Sequence, residues 1–271
     1  MDESDYRLRN DIVRKGTICD EYVECEQPCN LKNMILKRHQ LQTIQAMMDL
    51  EKQKQIVGEH EYLVSEIGIL GNKVGSGKSF CVIGLILLQN RLIKQPFLKQ
   101  PFGNFAYIMN DRSYMDIKGG NLIVAPNHII KPVWEQYLTR NTNLSYVIVT
   151  PSILGDWDKI SQCDVVLCGS TYYNVLMKTC PWTWSRTIID EADTIKLPAC
   201  HKPKSRFVWF VTSSLDNLLF ASGNAAYYDT NNKVVQNVVC RGVVNNGYIK
   251  NTFKTLEHRS ANSILKLIII K

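Results

Sequence analysis

A glycine-containing loop, Asn72-Lys73-Val74-Gly75-Ser76-Gly77-Lys78-Ser79, lies between an apolar run of strand length and a stretch compatible with a helix. Glycines at 75 and 77 let backbone N–H groups turn towards a phosphate, and the start of a helix adds the positive end of its dipole. The Lys78 ammonium would reach the β- and γ-phosphates, and the Ser79 hydroxyl would hold magnesium. Residues 72–79 are therefore predicted to bind a nucleoside triphosphate, ATP, together with Mg²⁺.

The loop departs from the usual phosphate-loop pattern because its first position is Asn72 rather than glycine. A second element supports it, since the apolar run 187–189 leads into two adjacent carboxylates, Asp190 and Glu191. At the carboxyl end of a parallel strand, Asp190 would hold Mg²⁺ directly or through water, and Glu191 would act as general base. The alternative is a solvated acidic turn after a buried strand. The predicted catalytic residues are Lys78, Asp190 and Glu191, and the predicted metal ligands are Ser79 and Asp190.

Apolar runs of strand length alternate with helical candidates along the chain. The runs lack the polar alternation of a half-exposed strand, so they suit strands buried on both faces of a parallel sheet. The predicted strands are 67–70, 122–125, 146–149, 165–168, 187–189 and 207–211, and the predicted helices are 39–51, 78–93, 127–138 and 172–178. This alternation predicts an α/β fold, with a doubly wound, mostly parallel sheet and helices on both faces.

The remaining segments are less regular. Residues 1–33 mix charges and cysteines without a period and are predicted to form an N-terminal extension. Residues 94–120 are interpreted as an insertion rich in Pro, Phe and Tyr, with a β-hairpin at Asn110-Asp111. After residue 215 the signals weaken until a last apolar run, 265–270, and a strand at that position suggests a chain that was cut or is naturally short.

Charge and cysteines restrict the partners and the compartment. The formal net charge is +7, of which residues 1–30 carry −4 and the remainder +11. A basic body favours a polyanionic partner such as nucleic acid, and a generically basic surface is an equal alternative. The nine cysteines show no C-x-x-C spacing, which indicates reduced thiols, with a metal site on Cys19, Cys25 and Cys29 as the less favoured alternative. No run reaches the roughly 18 apolar residues of a membrane span, so we expect no membrane partner.

The tetrapeptide Asp190-Glu191-Ala192-Asp193 resembles motif II of the superfamily 2 helicases and translocases, including their DEAD/DEAH-type members. The other motifs of the family's first RecA-like lobe, a P-loop NTPase fold, can be matched in the same order. Leu36-Lys37-Arg38-His39-Gln40 resembles the adenine-recognition motif of the Swi/Snf-type branch. The resemblance implies that Gln40 contacts the adenine edge through its amide, which offers both a donor and an acceptor.

Three further segments resemble family motifs that contact nucleic acid or couple it to the nucleotide. Residues 121–126, followed by Trp134, are similar to motif Ia, and 165–172 to the next backbone-contacting motif. Residues 207–214 are similar to motif III, whose hydroxyls couple the two sites. The resemblance assigns contact or coupling to Pro126, Asn127, Ser170, Thr171, Thr212 and Ser213. Trp134 could stack on a base, but packing of its helix against the sheet is the favoured interpretation.

The amino-acid sequences of these motifs are most similar to those of the Swi/Snf-like helicases of large DNA viruses, over about residues 36–215. Asp193 stands where the Swi/Snf-type motif usually has histidine. Residues 216–271 are too few for a second RecA-like lobe, which in the family supplies the arginine finger. We therefore expect an extension (1–33), an ATP-binding lobe (34–215) and the C-terminal part of that lobe (216–271). The second lobe would come from a longer chain or from another polypeptide.

The resemblance implies the ATP-binding and hydrolysing lobe of a nucleic-acid-dependent ATPase. A DNA translocase or helicase is favoured over one that acts on RNA, and a role in viral transcription is implied. Alone, the lobe is expected to hydrolyse ATP slowly, because loss of an arginine finger can cost about 10³–10⁵ in rate. The alternatives are another P-loop phosphotransferase and a P-loop module kept as an interaction surface. The expected location is a reducing intracellular compartment, either the cytoplasm or a viral factory, with the virion and the nucleus as alternatives.

Overall fold

The structure, a computed structural model, describes residues 23–52, 55–58, 61–63, 67–90, 117–197, 200–219, 225–228, 234–238 and 269–270. Its strands are β1 (Gln55–Gly58), β2 (Glu61–Leu63), β3 (Ile67–Leu70), β4 (Ile117–Ala125), β5 (Tyr146–Ile148), β6 (Val165–Gly169), β7 (Thr183–Ile189), β8 (Ser205–Val211), β9 (Ala225–Tyr228), β10 (Val234–Val238) and β11 (Ile269–Ile270). Its α-helices are α1 (Arg38–Glu51), α2 (Lys78–Leu88), α3 (Asn127–Ile129), α4 (Gln136–Asn141), α5 (Trp157–Ser161), α6 (Tyr173–Thr179) and α7 (Leu215–Leu219). A π-helical segment, Ile130–Glu135, joins α3 to α4.

Seven strands form the central sheet in the order β11-β3-β8-β7-β4-β6-β5. Every pairing in this sheet is parallel. Two antiparallel hairpins, β1 with β2 and β9 with β10, lie outside it. The α/β class and the mostly parallel sheet predicted from the apolar runs are confirmed.

The strands are apolar because they are buried. All residues of β3, β6, β7 and β8 are buried, so both faces of the sheet are covered by other parts of the chain. The side chains of Trp134, Trp184 and Trp209 are fully buried in the same core. At about 25 cal/mol per Å² of apolar surface, burial on this scale is the main favourable term in folding.

The register of the sheet places the ends of its strands at one edge. Leu70 of β3 pairs with Val211 of β8, and Ile189 of β7 pairs with Phe210 of β8. Ala125 of β4 pairs with Gly169 of β6. Because the strands are parallel, the loops that follow β3, β8, β7, β4 and β6 all emerge on the same side of the sheet.

Several segments differ from their sequence-based expectation. Residues 117–120 were expected in the insertion but belong to β4, because β4 pairs with β7 as far back as Ile117. Cys25 and Leu31 were expected in an extension but are buried in the core of the lobe, so at least part of that segment packs on the lobe. The domain boundaries themselves remain predictions.

Two further expectations concern residues outside the described part of the chain, and a third concerns a run that is described in part. The predicted hairpin at Asn110-Asp111 and Cys19 both lie outside the described residues. From the run 265–270, the described part is β11, which extends the sheet by pairing with β3. No helix in the described part of the chain is long and apolar enough to cross a membrane.

Candidate functional site

Backbone hydrogen bonds tie the loops at the carboxyl edge of the sheet to one another. Thr212 N–H, after β8, donates to Leu70 O at 3.0 Å, and Ala192 N–H, after β7, donates to Val211 O at 2.9 Å. Asp190 N–H donates to Val124 O at 2.8 Å. The segments predicted from separate motifs are therefore neighbours in one site, with β8 between the strand of the phosphate loop and the strand of the acidic pair.

The phosphate loop has the backbone geometry that its glycines permit. Gly75 and Gly77 adopt positive φ values of 79° and 82°, a region that side chains with a Cβ disfavour. Gly77 is the N-cap of α2, and a Cβ on Gly75 would meet nothing within 4 Å. The loop therefore curves into the start of α2 and leaves open space beside Gly75.

The amine of Lys78 is held inside this loop. Its Nζ donates to Asn72 O at 2.9 Å and to Lys73 O at 3.1 Å. Burial lowers the pKa of Lys78, and the nearby carboxylates of Glu191, Asp190 and Asp193 oppose that shift. The acidic residues after β7 are thus the main charged neighbours of the loop lysine, although they follow a strand two positions away in the sheet.

Two buried polar atoms of the loop lack a hydrogen-bond partner among the described residues, Asn72 Oδ1 and Ser76 Oγ. Unsatisfied buried polar atoms are rare in folded proteins and are often completed by a ligand or a water. The Ser76 hydroxyl can donate to a phosphate oxygen, which supports a fit to the triphosphate. Ser79 is the second residue of α2. Its hydroxyl would hold Mg²⁺ together with a carboxylate and phosphate oxygens, because oxygen ligands of this kind are the ones that the ion prefers.

Gln40 connects the helix before the sheet to the phosphate loop. Its side chain is 6% exposed, and its Nε2 donates to Ser76 O at 3.2 Å. Its Oε1 accepts from the backbone N–H of Lys37 at 2.8 Å, which caps α1. A Cβ on Gly77 would overlap Gln40 Nε2. In this structure the amide therefore fixes the loop, with one N–H and one lone pair of the amide left for an adenine edge.

The two catalytic candidates after β7 have different surroundings. Asp190 is 7% exposed, and burial raises its pKa from 3.8 to about 6 against the stabilising hydrogen bond from Trp134. Glu191 is half-buried and has a φ of 51°, a left-handed conformation uncommon for a residue other than glycine. A non-glycine residue in that region is often found at functional sites, and here it turns the chain directly after the buried carboxylate.

Trp134 contacts Asp190 in the candidate site, a contact that the sequence did not indicate. Its side chain is fully buried, so packing rather than base stacking is correct. Its indole Nε1–H also donates to Asp190 Oδ2 at 2.9 Å. A tryptophan followed by a polar helix gives no local signal for this hydrogen bond, because the two residues are separated by 56 positions.

Comparison with known proteins agrees with these motifs. No protein-family model matches the chain. A putative helicase of Acanthamoeba polyphaga mimivirus is 30% identical over 141 residues, which covers 43% of this chain and 16% of that protein. The Sulfolobus solfataricus SWI2/SNF2 ATPase core domain aligns with a TM-score of 0.53 at 15% identity, covering 94% of this chain and 46% of that one. The same ATPase core in complex with double-stranded DNA gives a TM-score of 0.49 at 17% identity, covering 92% of this chain and 46% of that one.

The chain resembles a Swi/Snf-like helicase lobe of a large DNA virus. The resemblance stated from the motifs is thereby confirmed, and the RecA-like fold is that of the SWI2/SNF2 core. The chain spans less than half the length of the mimivirus helicase and of the SWI2/SNF2 core.

In this chain, the last residue of the segment that resembles motif II contacts the segment that resembles motif III. Thr212 Oγ1 donates to Asp193 Oδ1 at 2.6 Å, and both residues are buried. Thr212 Oγ1 also accepts from Ser214 N–H at 2.9 Å. Asp193, at the position where the Swi/Snf-type motif usually has histidine, therefore forms a direct link between the acidic motif and the loop after β8. Ser213 is half-buried beside it.

The other nucleic-acid candidates form a second group at the same edge of the sheet. Asn127 Nδ2 donates to Thr171 Oγ1 at 2.6 Å, and both residues are exposed. Ser170 N–H donates to Ala125 O at 3.1 Å, and Pro126 is the N-cap of α3. The structure thus brings Pro126, Asn127, Ser170 and Thr171 together, and places Thr212 and Ser213 with the acidic motif instead.

Proposed function

We propose that this chain is the ATP-binding and hydrolysing lobe of a nucleic-acid-dependent ATPase of the DNA translocase or helicase type. The observation that carries the proposal is that Lys78 lies at the same edge of the sheet as Asp190 and Glu191, close enough for their charges to raise its pKa against the effect of burial. A lysine held by a glycine loop and a buried aspartate followed by a glutamate are the parts that P-loop hydrolysis requires. An ordinary solvated acidic turn would not place a carboxylate beside the loop at 7% exposure.

Each residue has a role that follows from its position. Lys78 would exchange the carbonyls of Asn72 and Lys73 for the β- and γ-phosphate oxygens of ATP. Ser79 and Asp190 would hold the metal, and Glu191 would accept a proton from the attacking water. When bound, Mg²⁺ would supply positive charge that offsets the negative charge developing on the phosphates. Catalysis would rest on positioning and charge rather than on a covalent intermediate.

A nucleic-acid track is the second part of the proposal. The paired side chains of Asn127 and Thr171 are exposed at the carboxyl edge, and the chain outside residues 1–30 carries a formal charge of +11. Such a surface suits phosphate contacts. The hydrogen bond from Thr212 to Asp193 would connect contacts on this edge to the acidic motif. We propose DNA rather than RNA as the track, and a transcription-related role in a virus.

The proposed active site is completed by a second RecA-like lobe. The SWI2/SNF2 core that this lobe resembles is about twice as long, since the chain covers 46% of it. An arginine finger from such a lobe, in a longer chain or in another polypeptide, would raise the rate by about 10³–10⁵. The 271 residues alone should therefore bind ATP and hydrolyse it slowly.

The test is calorimetric titration of the 271-residue chain with ATP and Mg²⁺. Lys78→Ala should weaken binding at least about tenfold, as expected when a charged hydrogen-bond donor to the phosphates is lost. Lys52→Ala is the control, because it removes an exposed lysine that lies outside the loop. Full binding by the Lys78 variant would overturn the phosphate-loop assignment.

Hydrolysis and nucleic-acid dependence are tested separately. Glu191→Gln should keep ATP binding but lose most turnover, because the amide cannot accept the proton. Duplex DNA should stimulate turnover when the second lobe is supplied. Turnover indifferent to DNA and RNA would favour another P-loop phosphotransferase, and binding without any turnover would favour a module kept as an interaction surface.

A further inference from the structure

Trp134 lies in an unusual stretch of helix. The segment Ile130–Glu135 is π-helical, and Pro132 within it has no N–H to donate to the preceding turn. A wider turn accommodates that missing hydrogen bond and changes which side chains face the sheet. In this segment Ile130 and Trp134 are the buried residues. The indole therefore points into the protein instead of into solvent.

Both oxygens of the Asp190 carboxylate are held by donors of the chain. Trp134 Nε1–H donates to Oδ2 at 2.9 Å, and the backbone N–H of Glu191 donates to Oδ1 at 3.0 Å. Two donors on different oxygens fix the rotation of the carboxylate about its last bond. Each oxygen keeps a second lone pair, so the carboxylate can still accept a metal ion or a metal-bound water in one defined orientation.

We propose that Trp134 is a positioning residue, which orients the Asp190 carboxylate for the metal and thereby sets the affinity of the site for Mg²⁺-nucleotide. The inference rests on the proposed nucleotide site and adds a residue to it. An indole nitrogen can only donate, so Trp134 cannot be a metal ligand and acts solely through Asp190. Partners that orient a ligating carboxylate typically contribute about 10- to 100-fold to metal affinity.

Trp134→Phe keeps an aromatic ring in the core and removes the donor. Trp184→Phe is the matched control, because Trp184 is also fully buried and its indole lies beside the Cys180 thiol, outside the proposed nucleotide site. The readout is calorimetric binding of ADP to the 271-residue chain over a series of Mg²⁺ concentrations. Trp134→Phe should raise the Mg²⁺ concentration for half-maximal enhancement roughly tenfold. Its binding of ADP in EDTA should equal that of the wild type, and Trp184→Phe should change neither quantity.

The outcomes separate this inference from the proposed function. If the wild type shows no Mg²⁺-dependent ADP binding, the proposed function itself fails. If the wild type shows it and Trp134→Phe has the same Mg²⁺ dependence, the positioning role alone is overturned. Equal losses in the Trp134 and Trp184 variants would also overturn it, because a general effect on the core would then explain both.

A second measurement covers the case in which Trp134→Phe fails to fold. The chain has five tryptophans, and their indole N–H signals can be followed by ¹⁵N NMR in the wild type. One indole signal should shift when ADP and Mg²⁺ are added together, and the same shift should be absent in Asp190→Asn. Five unchanged indole signals in a wild type that binds ADP would overturn the inference.

Discussion

The side chains of Arg186 in β7 and Glu51 in α1 form a fully buried, bidentate ion pair. Arg186 Nε donates to Glu51 Oε1 at 2.6 Å, and Nη2 donates to Oε2 at 2.6 Å, with neither side chain exposed. Trp209 Nε1–H donates to Glu51 Oε1 at 2.8 Å, and Arg186 Nη1 donates to Asn121 Oδ1 at 3.0 Å. Glu51 is the last residue of α1, and Gln40 lies in the same helix. This network therefore fixes α1 to the sheet.

We expect Glu51→Gln to destabilise the protein by about 3–5 kcal/mol, because removal of one partner leaves the other charge buried without compensation. The free energy of unfolding measured in urea tests this expectation. Lys52→Ala is the control, since it removes the exposed ion pair of Lys52 with Asp49, and such surface pairs contribute about 0–1 kcal/mol. Similar losses in the two variants would contradict the structural role of the buried pair.

The two loop glycines should respond differently to alanine. Gly75→Ala carries only the strain of a positive φ, roughly 1–2 kcal/mol, because a Cβ there meets open space. Gly77→Ala carries the same strain and also displaces the Gln40 amide from Ser76 O. We expect ATP affinity, measured by calorimetry, to fall further in the Gly77 variant.

A double-mutant cycle identifies the source of that difference. Gln40→Ala removes the amide that the new methyl group would displace, so Gly77→Ala should cost less in that background. Strict additivity of the two changes would show that Gln40 and Gly77 do not interact. The same Gln40 variant should affect Gly75→Ala little, because that position is open.

The apolar runs were sufficient to predict the central strands and their class. Ile67–Leu70 was predicted and is observed with the same bounds, because a short strand buried on both faces is apolar throughout. The helix after the phosphate loop begins at Lys78 as expected. The short helix Trp157–Ser161 was missed, since it has one buried residue, Ile160. Its signal was the cap, in which Asp156 accepts from the N–H of Lys159.

Side-chain partners far apart in sequence were not predictable. Arg186 and Glu51 are separated by 135 positions, and Trp134 and Asp190 by 56. Local periodicity indicates which residues are buried, but strand order and register determine which buried residues meet. Lys78 and Asp190 could be predicted as site residues because their chemistry requires a local pattern. Trp134 follows a segment that resembles a nucleic-acid motif, and that pattern gave no sign of its hydrogen bond to Asp190.

Thr212→Val should uncouple motif III from motif II. Valine has the shape of threonine without the hydroxyl, so the buried Asp193 carboxylate loses its donor at a cost of roughly 1.5–3 kcal/mol. Thermal unfolding measures this cost, and DNA stimulation of ATP turnover with the second lobe present measures the coupling. Thr142→Val is the control for loss of a buried hydroxyl, because the Thr142 hydroxyl donates to Leu138 O, outside both motifs. Normal DNA stimulation in Thr212→Val would contradict a coupling role for the Thr212–Asp193 hydrogen bond.

Burial of Asp190 should make stability depend on pH in a defined direction. Burial raises the pKa of Asp190 from 3.8 to about 6, so the folded chain keeps a proton that the unfolded chain has lost. Stability from this group is therefore fully present below about pH 4 and is lost as the pH rises through about 6, by roughly 3 kcal/mol at most. Asp190→Asn cannot titrate, so its stability relative to the wild type should rise between pH 4 and 6 and then level off. Urea unfolding of both proteins without divalent cations measures this difference in stability. The contributions of the other carboxylates cancel because both proteins contain them. A difference that does not depend on pH would show that Asp190 ionises in the folded chain as it does in water.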